Sequence, residues 1–163
     1  MRADKARMSM RKWWLWVGLL VSGLWSNPSF AGSGPYSLGL MIGGPSGISA
    51  GYQLNSRHVL DFALSWTSSR PLYIHGDYLW QPYRRLKVDT VTLDFFWGAG
   101  GRFFTRDASN KSETVLGARF PFGLRYQWDD PSILVFGEIA LNLDLVPDTA
   151  FEGAVAVGVR YIF

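Results

Sequence analysis

The sequence predicts an all-β protein: an eight-stranded antiparallel up-and-down transmembrane β-barrel, preceded by a cleavable signal peptide. Three observations predict this. The chain opens with a basic stretch and a short apolar run, and apolar side chains then alternate with small or charged ones over most of the remaining length. Turn-forming residues divide that alternating pattern into eight segments. The chain has no cysteine, which excludes disulfide bonds and thiolate metal sites.

The first 31 residues have the three parts of a secretory signal peptide. Five basic residues among the first 12 precede an apolar run from Trp13 to Trp25, and Ser29-Phe30-Ala31 is a small-x-small cleavage triplet. The apolar run has about 13 residues, whereas a membrane-spanning helix needs roughly 20. We therefore expect cleavage after Ala31, which leaves residues 32–163 as a single barrel domain.

Removal of this segment changes the charge balance. The full chain has 16 Lys and Arg against 13 Asp and Glu. Residues 1–31 hold five of the basic residues and one acid, Asp4, so 11 basic residues face 12 acids in the mature chain. Because the mature chain is close to neutral, its charge gives no reason to expect a nucleic-acid partner.

The alternation predicts the first four strands at residues 35–43, 47–55, 58–67 and 71–80. Each is near the roughly 9 to 11 residues that a tilted strand needs to cross a bilayer. Short polar or Pro-containing connections separate them, namely Gly44-Pro45-Ser46, Asn55-Ser56-Arg57, Ser68-Ser69-Arg70 and residues 81–85. Their apolar faces contain Leu38, Leu40, Ile42, Ile48, Tyr52, Leu54, Leu60, Phe62, Leu64, Trp66, Leu72, Ile74, Tyr78 and Trp80.

The same pattern predicts the last four strands at residues 90–104, 114–127, 133–145 and 150–163. The polar segment Thr105 to Glu113 is expected to be the longest outward loop, and Asp129 to Ser132 and Pro147 to Thr149 are expected to be turns. The final strand places apolar side chains at every second position. These are Val155, Val157, Val159, Tyr161 and Phe163.

Alternation alone leaves open which face points inward, because a secreted soluble barrel would bury its apolar face. The opposite face is rich in Gly, Ala and Ser, which suits the narrow lumen of an eight-stranded barrel. Aromatic residues also gather near one predicted rim, as in an interfacial girdle. They are Tyr36, Tyr52, Tyr78, Trp80, Tyr126, Trp128, Tyr161 and Phe163. We therefore expect the apolar face to contact lipid.

The closing strand resembles that of bacterial outer-membrane β-barrels, and the mature chain as a whole is similar to the small barrels of the OmpA and OmpX type. The resemblance implies a location in the outer membrane, in contact with its lipid and lipopolysaccharide. It also implies insertion by the barrel-assembly machinery, for which Tyr161 and Phe163 would be the assembly signal. We expect a monomer, and the short outward connections argue against an adhesin.

Charged side chains on the inward face predict a polar network that fills the lumen. The expected register places Asp61 opposite Asp77, Asp94 near both Asp77 and Arg125, and Arg119 opposite Glu138. Carboxylates in a narrow lumen need a cation or a proton, and Arg119, Arg125 and Arg160 are the expected cations. The predicted structural network is Asp61, His75, Asp77, Asp94, Arg119, Arg125, Glu138 and Arg160.

These observations predict a structural or surface role with no catalytic, cofactor-binding or metal-binding residue. Three alternatives stay open: a narrow pore for ions or small solutes, a lipid A-modifying barrel enzyme, and a secreted soluble β-barrel binding protein. The enzyme reading would use Ser65, His75 and Asp77, but His75 is expected to point into the lumen, away from acyl chains.

Two smaller features have weak functional readings. Asp144 and Glu152 are expected to face each other, but two carboxylates fall short of the roughly six to eight oxygen ligands of calcium. Arg84, Arg85 and Lys87 are expected to form a solvated turn, with contact to anionic lipid headgroups or peptidoglycan as the alternative.

Overall fold

A computed structural model of the chain describes residues 34–66, 71–82, 85–88, 91–108, 111–128, 130 and 132–163. These parts of the chain contain nine β-strands, and they include no helix that is long and apolar enough to cross a membrane. The strands are β1 Tyr36–Gly43, β2 Gly47–Asn55, β3 His58–Ser65, β4 Leu72–Trp80, β5 Arg85–Val88, β6 Val91–Ala108, β7 Lys111–Trp128, β8 Ile133–Val146 and β9 Ala150–Ile162.

Eight of these strands form a closed antiparallel barrel. Neighbouring strands follow the order β4-β3-β2-β1-β9-β8-β7-β6, and β4 pairs with β6 from Leu72 opposite Thr105 to Trp80 opposite Trp97. Because the first and last strands of this order pair with each other, no strand of the ring has an unpaired edge. The predicted fold class, an all-β eight-stranded antiparallel barrel, is confirmed.

The tight turn between β1 and β2 depends on Gly43. Its φ of 135° favours glycine, and a Cβ at this position would lie 2.2 Å from the carbonyl oxygen of Val155 on the neighbouring strand. Ser46 stabilises the turn, because its hydroxyl accepts a hydrogen bond from Gly43 N at 2.9 Å and donates one to Gly43 O at 3.0 Å. The predicted breaker Gly44-Pro45-Ser46 therefore connects two strands at the predicted place.

The two faces of the barrel wall have opposite chemistry. Phe62 and Val157 on the outside are 47% and 58% exposed, whereas Asp77 and Arg119 on the inside are 3% and 0% exposed. The inward face also carries apolar side chains, including Phe96 and Phe136, which the sequence pattern did not assign to the network. The predicted orientation is confirmed: the apolar face points outward and the ionic groups point into the lumen.

The connection between β4 and β6 differs from the prediction. Residues 85–88, expected to belong to a turn and the segment after it, form the short strand β5, which pairs with β6 from Arg85 opposite Asp94 to Val88 opposite Val91. Four residues are too few for a clear period of two, which is why the pattern did not reveal this strand. The result is a hairpin that continues past the end of β4.

The predicted outward loop Thr105 to Glu113 is also largely strand. β6 and β7 continue to pair as far as Ala108 opposite Lys111, and Arg106 forms an ion pair with Glu113 at 2.8 Å. Polar composition here marks exposure rather than a lack of structure, because backbone hydrogen bonds extend a hairpin beyond the barrel wall without any apolar burial.

Other sequence predictions lie outside the described residues. They are the signal peptide at residues 1–31 with its cleavage site after Ala31, the turn Ser68-Ser69-Arg70, and Arg84.

Candidate functional site: the barrel lumen

The lumen contains three polar regions along the barrel axis. We call the end that carries both chain termini of the barrel the terminal end, and the end that carries the β6–β7 hairpin the hairpin end. The central cluster consists of Asp61, His75, Asp77, Arg119, Glu138 and Arg160. The hairpin-end cluster consists of Arg102, Asp144 and Glu152, and a cavity lies at the terminal end.

Arg119 holds the middle of the central cluster. Its guanidinium forms ion pairs with Asp77 and Glu138, and both carboxylates are at most 5% exposed. In the strand register Arg119 lies opposite Asn142, and Glu138 lies opposite Gly123. The expected contact between Arg119 and Glu138 therefore exists, but the long side chain reaches it across four residues of register, and the two residues are not direct neighbours.

Arg160, one of the three expected cations, compensates Asp61, although the sequence did not indicate this particular pair. Its Nη1 lies 2.6 Å from Asp61 Oδ1 and its Nη2 lies 3.0 Å from Asp61 Oδ2, and its Nε donates to the Ser49 hydroxyl at 3.0 Å. The guanidinium carbon also lies 4.4 Å from the centre of the Phe136 ring, a cation–π contact. Such a forked, fully paired geometry fixes both carboxylate oxygens of Asp61.

His75 lies between the two aspartates. Asp61 and Asp77 are opposite each other in the register of β3 and β4, as predicted. His75 is 1% exposed, and its Nε2 lies 3.9 Å from Asp61 Oδ2 and 3.8 Å from Asp77 Oδ2. Both distances exceed hydrogen-bond length, and neither ring nitrogen has a hydrogen-bond partner among the described residues.

The hairpin-end cluster is organised by Arg102, which the predicted network did not include. Arg102 Nη2 lies 2.6 Å from Asp144 Oδ1, and its Nη1 lies 2.8 Å from Glu152 Oε2. Asp144 and Glu152 are not direct partners, because the register places them opposite Ala150 and Asn142. The inward parity of Arg102 on β6 was the available signal, but its partners depend on the tertiary structure. A guanidinium between the two carboxylates argues against calcium there.

Apolar side chains close the lumen beyond Arg102. The rings of Tyr73 and Phe104 stack with centroids 5.8 Å apart, and these two residues and Val115 are at most 2% exposed. The guanidinium carbon of Arg102 lies 5.1 Å from the centre of the Phe104 ring. This end of the lumen is therefore filled by packed rings on top of a compensated ionic cluster.

The terminal end is more open. A cavity of about 270 Å³ is lined by both polar and apolar side chains, among them Gln81, Arg125, Gln127, Phe96 and Phe136. The Nη2 of Arg125 donates a hydrogen bond to Gln81 Oε1, while its Nε is buried without a partner among the described residues. Arg125 lies opposite Asp94 in the register of β6 and β7, as predicted, but its hydrogen bond goes to an uncharged side chain and not to the buried acids that it was expected to compensate.

The predicted position of Asp94 near Asp77 is wrong. Asp77 on β4 lies opposite Gly100 of β6. Asp94 of β6 lies opposite Arg125 on β7 and opposite Arg85 on β5. Its carboxylate pairs with Arg85 Nε at 3.1 Å, and both side chains are substantially exposed. The β5–β6 hairpin carries Asp94 beyond the end of β4, so Asp94 lies at the rim and not in the central cluster.

Aromatic side chains surround the terminal end on the outside. The rings of Tyr36 and Tyr52 lie 5.0 Å apart, and Tyr36 also stacks with Phe163 at 6.4 Å. Further contacts join Tyr161 to Phe163, Trp80 to Trp97, and Tyr126 to Trp128. Six of the eight residues predicted to form a girdle therefore contact another member of that set, whereas Tyr78 and Trp80 contact His58 and Trp97.

A solved structure has this architecture. The N-terminal β-barrel domain of Pseudomonas aeruginosa OprF, known from a crystal structure, is similar to this chain with a TM-score of 0.54 over 78% of this chain and 95% of that one. The chain has the fold of this OmpA-type barrel. The sequences are 16% identical, so the likeness concerns the fold. No family model matches the chain, and no curated protein matches it.

Proposed function

We propose that this chain is an integral outer-membrane β-barrel protein with a closed lumen, a structural or surface role and no catalytic activity. The observation that carries the proposal is the inversion of the usual protein pattern, with large apolar side chains outside and paired ions inside. A water-soluble protein of this size would expose an apolar band far larger than soluble monomers tolerate. A bilayer removes that cost, and a closed barrel satisfies every backbone group within it.

Three further features support the membrane reading. The aromatic rim is typical of the level of lipid headgroups. The eight barrel strands have 8 to 18 residues, comparable with or longer than the roughly 9 to 11 that a tilted strand needs, and the longest pair continues into a polar hairpin. The resemblance of the closing strand to outer-membrane barrels, with Tyr161 and Phe163 as the assembly signal, supports insertion into the outer membrane.

The filling of the lumen supports a closed barrel rather than a pore. Arg119 and Asn142 are 0% exposed, and the hairpin end is closed by Tyr73, Phe104 and Val115. In planar bilayers the purified protein should give no stepwise conductance above the background of empty membranes. Regular conductance steps would favour the narrow-pore alternative.

The position of His75 supports the absence of lipid A chemistry. Its ring is buried on the inward face, and Ser65 donates a hydrogen bond to Ser46 O at 2.5 Å, so neither side chain meets an acyl chain outside the wall. Lipid A from cells that overproduce the protein should keep its mass. A mass shift that requires Ser65 or His75 would support the enzyme alternative.

A pair of matched arginine substitutions tests the membrane directly. Val157 and Leu86 are similarly exposed, at 58% and 52%, but Val157 lies on the barrel wall and Leu86 on the β5 hairpin beyond it. In lipid vesicles Val157→Arg should cost about 2–4 kcal/mol of unfolding free energy, and Leu86→Arg about 0–1. Equal effects, or a wild-type protein that dissolves without detergent, would exclude the membrane barrel.

A further inference from the structure

The barrel interior contains an imidazole that faces two carboxylates and has no hydrogen-bond partner in the described part of the chain. The Nε2 of His75 lies 3.9 Å from Asp61 and 3.8 Å from Asp77, and one donor atom from each of the three residues lies within 4.8 Å of the others. All three residues are at most 5% exposed, and Asp77 Oδ1 also has no hydrogen-bond partner among the described residues. Buried polar atoms without partners are rare in native proteins and indicate that something else satisfies them.

We propose that His75, Asp61 and Asp77 form a binding site for a divalent transition-metal ion of the Zn²⁺ class. Bonds from zinc to histidine nitrogen and to carboxylate oxygen are about 2.0–2.2 Å long. An ion between two donors can therefore span up to about 4.0–4.4 Å, which covers both separations from His75 Nε2. The aspartates must approach each other by a few tenths of an ångström to complete the three-ligand set.

The chemistry of the donors selects the type of metal. One imidazole with two carboxylates suits zinc and its neighbours in the first transition row, whereas calcium and magnesium prefer oxygen donors alone. The chain has only two histidines, and the other one, His58, contacts Tyr78 and Trp80 at the rim. Histidine coordination by this protein can therefore be assigned to one residue by substitution.

The surroundings of the site favour a cation. Within the central cluster the three carboxylates of Asp61, Asp77 and Glu138 face only the two guanidinium groups of Arg119 and Arg160, so one negative charge is in excess when His75 is neutral. The carboxylate oxygens nearest to His75, Asp61 Oδ2 and Asp77 Oδ2, also pair with Arg160 and Arg119, so the two arginines fix the orientation of both carboxylates, the role that outer-shell partners have in metal sites.

Metal and water can reach the site from the terminal end. The cavity there is lined by Asp61 and Arg160, so it extends to the edge of the central cluster. A site with three protein ligands leaves a coordination position for water, and the cavity supplies the room for it. The site depends on the barrel interior and not on the membrane, so it can be tested separately from the proposed function.

Metal titration of the folded protein in detergent, after removal of metal with EDTA, tests the proposal. Co²⁺ should bind one ion per chain and give a visible absorption band, and Zn²⁺ should displace it and raise the unfolding temperature. In His75→Asn the band and the temperature shift should disappear, whereas the matched control His58→Asn should keep both. Asp77→Asn, which retains the imidazole, should weaken Co²⁺ binding at least tenfold. Heat-modifiable gel migration verifies that each variant is folded.

Several results would overturn the site. One is a wild-type protein that takes up no metal, and another is a Co²⁺ band that persists in His75→Asn or depends on His58. If neither His75→Asn nor Asp77→Asn folds, X-ray absorption of the Zn²⁺-loaded His58→Asn protein decides. One imidazole with oxygen ligands supports the site, and oxygen ligands alone refute it.

Discussion

The centre and the terminal end of the lumen use arginine in different ways. Arg119, in the centre, is completely buried and pairs with two carboxylates that are themselves buried. Arg125, at the terminal end, donates to the neutral side chain of Gln81 and borders a cavity. Both residues lie on the inward face of β7, six positions apart, so strand and face do not distinguish them. The two arginines differ instead in the number of carboxylates that each can reach and in their access to water.

Because of this difference, we expect the two regions to differ in their contribution to folding stability and in their access to solvent. A buried guanidinium between two carboxylates cannot be removed without leaving two charges unpaired, whereas a guanidinium beside a cavity can be replaced by water. We therefore expect the ion pairs of the centre to contribute more to the free energy of unfolding, and the terminal end to be the part of the lumen that water reaches.

The largest effect is expected for Arg119→Ala. Its removal leaves Asp77 and Glu138 buried without their main cation, and breaking a buried pair in this way costs about 3–5 kcal/mol. Urea unfolding in detergent, followed by heat-modifiable migration, measures the loss. A cost below about 1 kcal/mol would mean that the central carboxylates are protonated or compensated by other groups, which would remove the contrast between the two regions.

Arg125→Ala is the matched truncation on the same strand, and we expect a smaller effect. The variant loses one hydrogen bond to Gln81, worth about 1 kcal/mol, and water in the cavity can take over the exposed partner. The unfolding temperature should still fall slightly, measured in the same detergent as Arg119→Ala. If Arg125→Ala costs as much as Arg119→Ala, then Arg125 compensates buried acids after all.

The smallest structural change is the introduction of a single cysteine. Because the chain has no cysteine of its own, the introduced thiol is the one that a thiol reagent can label. Gln127 borders the terminal-end cavity and is exposed, whereas Asn142 is 0% exposed on the other side of the central cluster. A water-soluble maleimide should label Gln127→Cys at least about tenfold faster than Asn142→Cys, because thiol reactivity requires access to solvent. Equal labelling rates would show that water passes the centre, which the closed lumen forbids.

Most of the barrel follows from local pattern. The period of two and the turn residues between strands placed the eight barrel strands and separated their faces, because each depends on neighbouring residues alone. The same pattern missed β5, which is too short to show a period, and it misread the polar ends of β6 and β7 as a loop.

The interior was predictable only in part. The pairing of Asp61 with Asp77 was predicted correctly, because only six residues separate the end of β3 from the start of β4 and few residues between two strands limit the possible register. The predicted position of Asp94 was wrong because the longer connection between β4 and β6 contains β5, which forms a hairpin with the start of β6. Arg102 lay on the correct face, but its two acidic partners come from β8 and β9, whose distance from β6 depends on closure of the ring.

The sequence by itself determined which side chains face outward and which face inward, since alternation along a strand is a local geometric property. Only the tertiary structure decided which inward side chains meet. Those contacts depend on the stagger of eight strands around a closed ring and on the reach of long side chains, as when Arg119 contacts Glu138 across four residues of register. For the same reason, the approach of His75 to two aspartates became visible only in three dimensions.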